Sequence, residues 1–213
     1  MTKLIIVRHG NTFDKGEVCL RVGCRTDLPL SSSGREQAVL LGKYLKLKNI
    51  VPDKVFASEL KRTYQTAEIA FKEAGIVADI EKSKIFNEID YGPDEAQTED
   101  EVIARIGKDA LEKWDKDAIV PEGWIFNPKK AIQNWHDFAK MIEDKYADKI
   151  IMVFTSNGIA RFAPYLTGDF KNFSKNYNIK ISTSALCIFE KNHNNEFWKV
   201  IDWNIKPKDF VGV

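Results

Sequence analysis

Apolar and polar residues along this chain alternate between two periods, and the switches between them outline a layered α/β fold. Residues 3–7 form a short β-branched and leucine-rich run, the pattern of a buried strand, which stops at polar Arg8-His9-Gly10-Asn11. The stretch from there to Leu30 has no period and carries Gly16, Gly23 and Pro29, so it reads as loop. Three serines follow. Ser33 with Glu36 fits a capping box, and Ala38, Leu41 and Leu45 then recur at helical spacing. Residues 54–57 make a second short strand that closes on Ser58, and Tyr64, Ala67, Phe71 and Ala74 mark the buried stripe of the next helix. A loose β-like segment then leads to Phe86 and the irregular Asn87-Glu88-Ile89-Asp90-Tyr91-Gly92.

The pattern predicts two further helices. One carries Ile103, Ile106, Ala110 and Trp114; the other opens at Asn127-Pro128, a cap followed by a first-turn proline, and carries Trp135, Ala139, Ile142 and Tyr146. Residues 150–155 form the strongest strand pattern and end at Ser156-Asn157-Gly158. A helix from about 159 and strands near 185–190 and 198–203 complete the chain. Strands that alternate with helices and end in polar or glycine residues predict a three-layer α/β/α arrangement, with a mostly parallel central sheet flanked by helices. Ligands of such sheets bind outside the carboxyl ends of strands, which singles out the positions after Val7, Ala57 and Thr155. No repeat, low-complexity tract or linker interrupts the chain. The expectation is one domain over residues 1–213, with a helical insertion at about 94–148 over the sheet edge.

Composition changes this picture little. With 32 Lys and Arg against 31 Asp and Glu in 213 residues, no bulk charge draws the protein to nucleic acid or a membrane surface, so an anion site must come from local clustering. Cys19, Cys24 and Cys187 have no zinc-site spacing and read as structural or incidental thiols. The opening MTKLIIVRHG is too short in its apolar run for a signal peptide, and no stretch approaches the roughly 18 apolar residues of a membrane span. A cytoplasmic setting is therefore expected.

The chemistry gathers at the strand ends. A lone histidine is more often structural than catalytic, but His9 follows Arg8 and precedes Gly10 at the mouth of a buried strand. Gly10 permits close backbone approach, Arg8 supplies a planar cation suited to bidentate phosphate binding, and a histidine neutral on one nitrogen can attack phosphorus. At the second strand end, Ser58-Glu59-Leu60-Lys61-Arg62-Thr63 opens a helix, where backbone N–H groups favour an anion and Arg62 adds a second cation. Glu88 beside such a pocket would serve as general acid for a leaving oxygen.

The VRHGNT segment, Arg21-Val22-Gly23, Thr26-Asp27-Leu28-Pro29-Leu30-Ser31 and Gly34-Arg35-Glu36-Gln37-Ala38 together resemble the histidine phosphatase superfamily, the phosphoglycerate-mutase-like group. The likeness continues through residues 57–67 and 87–92. It implies a phosphohistidine intermediate on His9, Arg8 and Arg62 clamping the phosphoryl group, and Glu88 as proton donor and later base for water. It also implies Asn11 and the Gly23 backbone along the pocket, Tyr91 near the substrate, a phosphoglycerate-mutase-like fold, and no metal or other cofactor. Arg21 in the first loop adds a second substrate-proximal candidate, although a solvated loop role fits it equally.

One element of the family pattern is absent. A second histidine usually follows a later strand, and the matching segment here is Thr155-Ser156-Asn157-Gly158-Ile159-Ala160-Arg161. Ser156 takes the position without gaps and Asn157 with a one-residue shift; either could donate a neutral hydrogen bond to the phosphoryl group, as could the backbone of the turn. Losing a charge-stabilising donor costs on the order of 10²–10³ in rate, which predicts a slower or retuned enzyme and not a dead one. His136 and His193 read as surface or structural residues. A mutase would call for a basic pair in the insertion, which offers only Arg105 and scattered lysines, with Pro121-Glu122-Gly123-Trp124 in place of a Gly-Glu-Ser turn. The expected reaction is hydrolysis of a small phosphate ester or a phosphoprotein. A phosphate-binding module with little turnover and a mutase-type phosphotransferase are the alternatives. Trp114, Trp124, Phe126 and Trp135 fit core packing, or an aromatic wall that selects a ring-bearing or extended ester.

Overall fold

The computed structural model describes residues 1–211. Its six strands are β1 (Thr2–Arg8), β2 (Lys54–Ala57), β3 (Ile80–Lys82), β4 (Ile150–Thr155), β5 (Leu186–Lys191) and β6 (Lys199–Ile205). They pair in the order β3-β2-β4-β1-β5-β6, with the first four parallel and the last two antiparallel. The helices are α1 (Ser32–Leu47), α2 (Lys61–Ala74), α3 (Glu99–Ile106), α4 (Lys108–Asp117), α5 (Pro128–Lys145), α6 (Asn157–Ala160) and α7 (Phe170–Asn176).

The period-2 geometry of the strands divides the core in two. Ile5, Val7, Val55, Met152 and Phe154 face one side and pack with Leu41, Leu45, Ala67 and Phe71 of α1 and α2. Leu4, Ile6, Phe56, Ile151 and Val153 face the other and pack with Trp135, Phe138, Ala139 and Ile142 of α5. Full burial of such side chains stabilises by about 1.5–3 kcal/mol each, so register is fixed on both faces. The result is the three-layer α/β/α architecture.

The parallel registers place strand ends side by side: Arg8 pairs with Thr155, and Val7 and Ala57 both pair with Phe154. One edge of the sheet therefore gathers the polar residues that follow each strand. That edge is where the site forms.

Three local expectations are corrected. The cap of α1 is Ser31, whose hydroxyl accepts from the Gly34 amide at 3.2 Å, while Ser33 Oγ accepts from Asn11 Nδ2. The helix expected through Ile103, Ile106, Ala110 and Trp114 is two helices, broken at Gly107 with φ 81°. The helix expected from about 159 is only one turn long, followed by a 3₁₀ segment Ala163–Thr167 and then α7. Within 94–148, α5 lies on the sheet as part of a layer, whereas α3 and α4 stand at the strand-end edge. Among the described residues no helix is long and apolar enough to cross a membrane.

Candidate active site

His9 is fixed from all sides by backbone. Its amide donates to Thr155 O at 3.1 Å, its carbonyl accepts from the Ser184 amide at 3.1 Å, and the Gly10 amide donates to Thr66 Oγ1 at 3.1 Å. A Cβ at Gly10 would lie 2.5 Å from Gly34 O, so only glycine lets the strand end pass this close to the start of α1. The ring partners then set the tautomer. Nδ1 lies 2.6 Å from Gly10 O, a pure acceptor, and so carries the proton; Nε2 accepts from Arg62 Nε at 3.2 Å and so holds the lone pair. Burial, followed by the charges of Arg62 and Arg8, holds the His9 pKa well below the ordinary histidine value. At neutral pH this is a neutral imidazole, with its proton on Nδ1 and its Nε2 accepting from a guanidinium.

Arg62 is fully buried, and each terminal nitrogen gives one N–H to a carbonyl: Nη1 to Thr26 O at 2.9 Å and Nη2 to Gly23 O at 3.1 Å. Arg8 donates through Nη1 to Ile181 O at 2.5 Å, while its Nε is buried without a partner. A buried donor left open costs about 1–3 kcal/mol unless a ligand fills it. Glu88, also buried, accepts from the Ile89 amide at 2.9 Å and the Gly158 amide at 3.1 Å. A Cβ on Gly158 would come within 2.2 Å of Glu88 Oε1, so the glycine of that turn is what admits the carboxylate. Burial lowers the pKa of both Arg8 and Arg62, and Glu88 is the largest opposing charge on each, which sets it close to both guanidiniums.

A third guanidinium completes the cluster. Arg161 is 1% exposed, donates through Nη1 to Trp114 O at 2.6 Å, and has its charged carbon 3.8 Å above the Trp114 ring. Burial brings its pKa down to about 10, against the raising influence of Tyr91, Asp115 and Glu88. Three arginines face two carboxylates, Glu88 and the half-exposed Asp115, whose Oδ1 lies 3.7 Å from Arg161 Nη2, so the cluster carries an excess of positive charge that an anion would balance.

These groups open into a cleft of about 740 Å³, a usual size for a small-molecule site. Arg8, His9, Asn11 and Glu88 are in its walls, as are Arg21, Tyr91 and Asn157. Asn11 is held at three atoms: its amide on Gln37 Oε1, Nδ2 on Ser33 Oγ, and Oδ1 accepting from Thr183 Oγ1 at 2.7 Å. Arg21 lies 5.2 Å from both the Tyr91 and Trp124 rings and pairs with Glu99, leaving its Nε buried and unpartnered. Tyr91 is 6% exposed, and burial raises its pKa.

Of the residues expected to bind phosphate, Gly23, Arg62 and Ser156 are not in the cleft wall. Gly23 acts through its carbonyl, which holds Arg62. Arg62 itself lies behind His9 and reaches the cleft only through the Nε2 contact. Ser156 ends β4 with its hydroxyl buried and unpartnered, outside the wall, whereas Asn157 is in it with Oδ1 accepting from the Ile181 amide at 2.9 Å. Neither residue brings a charge. His136 and His193 are both exposed. Of the four aromatic residues, Trp114, Trp124 and Trp135 are buried, and Trp114 alone also forms cleft wall. Arg105 is consumed by Asp94, which also accepts from Trp124 Nε1 at 2.7 Å.

The sequence reading missed Arg161 as a site residue, together with Asp115, Lys180 and Thr183 of the wall. Arg161 did carry a signal: it is a lone cation in the apolar run Gly158-Ile159-Ala160-Arg161-Phe162-Ala163, and a charge buried in such a run needs a partner.

A family model described as histidine phosphatase superfamily (branch 1) matches residues 4–206. The chain is similar to phosphoglycerate mutase 1 of Saccharomyces cerevisiae, with 32% identity over 122 residues, covering 57% of this chain and 49% of the relative. It is also similar to the phosphoglycerate mutase of Candida albicans, with 30% identity over 149 residues, covering 70% and 56%. The chain thus spans about half the length of the curated relatives it matches. Among solved structures, the mycobacterial glucosyl-3-phosphoglycerate phosphatase with inorganic phosphate superposes at a TM-score of 0.77, with 18% identity over 97% of this chain and 98% of that one. The Entamoeba histolytica phosphoserine phosphatase mutant in complex with phosphoserine superposes at 0.75, with 19% identity over 99% and 100%. At those identities the likeness is one of fold.

Proposed function

The chain belongs to the histidine phosphatase superfamily (branch 1), and within it we propose that this protein is a phosphatase that hydrolyses a phosphate monoester through a covalent phosphohistidine on His9. One observation carries the reading: His9 Nε2 presents a lone pair beside Arg62, with the open donor of Arg8 and the carboxyl of Glu88 in the same buried cluster.

In the first step Arg62 Nε passes its N–H from His9 Nε2 to the phosphoryl oxygens, the freed Nε2 lone pair attacks phosphorus, an N–P bond forms, and the ester P–O bond breaks. Glu88 gives its proton to the leaving oxygen, so an alcohol departs and a carboxylate remains. In the second step that carboxylate takes a proton from water as the water oxygen attacks phosphorus, and the N–P bond breaks. His9 returns to its neutral form and Glu88 to its protonated one. Arg8 and Arg62 hold the equatorial oxygens through both steps, where charge spreads over the transferring group. Every role falls to a side chain, so turnover is expected to persist in chelator.

The named ligands of the structural neighbours, phosphoserine and inorganic phosphate among them, support a small phosphate-bearing substrate. Mutase chemistry is less supported, because Arg105 is engaged by Asp94 and provides no free partner for a substrate carboxylate. A second reading, a phosphate-binding protein with little turnover, draws on the uncharged Ser156-Asn157 turn.

Brief incubation with p-nitrophenyl phosphate, followed by acid and base treatment, separates the two. Acid-labile, base-stable phosphate on the protein is expected, absent in His9→Ala, with turnover in that variant down by at least about 10⁴-fold. Phosphate binding without labelling or turnover in the native protein would overturn the phosphatase reading and establish the second.

A further inference from the structure

The catalytic cleft does not end at its own mouth. A second cavity of about 550 Å³ adjoins it, and Glu99, Leu111, Asp115 and Lys180 stand in the walls of both. The boundary is one ion pair, Lys180 Nζ to Asp115 Oδ2 at 2.9 Å, which links α4 to the segment ahead of β5. The two side chains are 53% and 40% exposed. Asp115 is also held from the buried side, its Oδ1 3.7 Å from Arg161 Nη2, so Lys180 is the half of the pair that can swing away; an exposed contact of this kind is worth about 0–1 kcal/mol, and its opening joins the two cavities into one trough.

The position of the boundary is set by the catalytic end. Ile181, next to Lys180, accepts from Arg8 Nη1 through its carbonyl and donates from its amide to Asn157 Oδ1. Lys180 therefore adjoins a residue that is tied directly to Arg8 and Asn157, and the second cavity begins one residue from the phosphoryl end.

The charge left over in the second cavity states what it takes. Its acidic walls are largely engaged, Glu99 by Arg21 and Asp115 by Lys180. Lys108, Lys116 and Lys175 have no ion-pair partner among the described residues, against the single carboxylate of Glu112. We propose that this cavity is the distal subsite of the active site, and that the substrate is an elongated phosphate monoester with a second anionic group at its far end. The proposal rests on the phosphatase reading for the orientation of the ester.

The test uses two ester series on the full chain: n-alkyl phosphates, and ω-carboxyalkyl phosphates with methylene spacers of matched length. Short members should be turned over with similar kcat/KM, and the carboxylate-bearing members should pull ahead as the spacer lengthens. The triple variant Lys108→Gln, Lys116→Gln, Lys175→Gln should reduce that preference about fivefold, in line with three screened cations, and added salt should do the same to the native protein. A preference absent at every length, or one that survives the triple variant, overturns the distal subsite. Calorimetric Kd values for the same matched esters read the subsite without turnover. If no ester is hydrolysed and His9 is not labelled, the phosphatase reading fails, while a charge- and length-dependent Kd still upholds the second site.

Discussion

The two ends of the cleft hold charge in opposite ways. At the phosphoryl end, Arg62, Glu88 and His9 are buried, their polar atoms tied to backbone partners, and the arginines act in a medium that screens them poorly. At the far end, Glu99, Asp115 and Lys180 are 64%, 40% and 53% exposed; Glu99 pairs with Arg21 and Asp115 with Lys180, in contacts that water competes for. The first arrangement suits a reaction in which charge moves by fractions of an ångström and the environment must not reorganise. The second suits recognition, where side chains can yield to a ligand at little cost. The proposed reaction thus falls where the sheet is rigid, and the proposed selection where helices and loops are solvated.

The largest effect expected from this contrast comes from exchanging one cation for another. Arg62→Lys keeps the charge but cannot serve Gly23 O, Thr26 O and His9 Nε2 at once, because an ammonium lacks the planar fork. kcat with p-nitrophenyl phosphate should fall on the order of 10²–10³-fold, the cost of a misplaced charge-stabilising donor. Lys180→Arg at the far end should change kcat/KM no more than about threefold, the scale of an exposed pair. Equal losses in the two variants would erase the distinction between the ends.

Two glycines test the same contrast through the backbone. Gly158→Ala would drive a methyl group to 2.2 Å from Glu88 Oε1, so the carboxyl must move. A displacement near 1 Å of a catalytic group costs about 10²-fold, and a drop of that order in kcat is expected with the fold retained by circular dichroism. Gly107→Ala meets nothing within 4 Å but keeps a φ of 81° that alanine resists. It should cost about 1 kcal/mol of stability and leave turnover alone. A Gly158 variant with full activity would show that Glu88 has slack, and would weaken its assignment as the acid.

The same division explains what the sequence made legible. The Arg8-His9-Gly10 turn and the ends of β2 and β4 could be read because buried strands are continuous apolar runs whose polar stops lie at one edge of a parallel sheet. Arg62 followed, since it opens the helix after such a stop. Gly107 was passed over because Ile103, Ile106, Ala110 and Trp114 keep a helical period across it; the break lies in its own backbone, at a φ of 81° that glycine adopts freely and an apolar period does not register. Ser31 and Ser33 are chemically equal as caps, and contacts from the first loop decide between them: Asn11 donates to Ser33 Oγ, and Asp14 accepts from the Ser33 amide at 2.8 Å. The distal cavity was out of reach for the same reason. It is made by residues 99–116 and 174–180, whose charges read as ordinary surface until the fold brings Asp115 to Lys180.

The smallest expected effect is on stability against pH, and it isolates the buried end. A histidine whose folded pKa is depressed binds fewer protons in the native state than in the unfolded one, over the interval from its folded pKa up to the ordinary value of about 6.5. Stability therefore rises with pH across that interval and is flat above it, with a slope of at most about 1.4 kcal/mol per pH unit for one proton. Denaturant melts should show the native protein losing stability as pH falls from neutrality, and His9→Asn, which does not titrate, should show a shallower loss. The catalytic counterpart has the same sign. Because His9 stays unprotonated well below its ordinary pKa, the acid limb of kcat/KM should lie on the acid side of about 6.5. A limb centred at or above that value, or parallel stability profiles for the two proteins, would mean that water reaches the imidazole and that the phosphoryl end is screened much as the far end is.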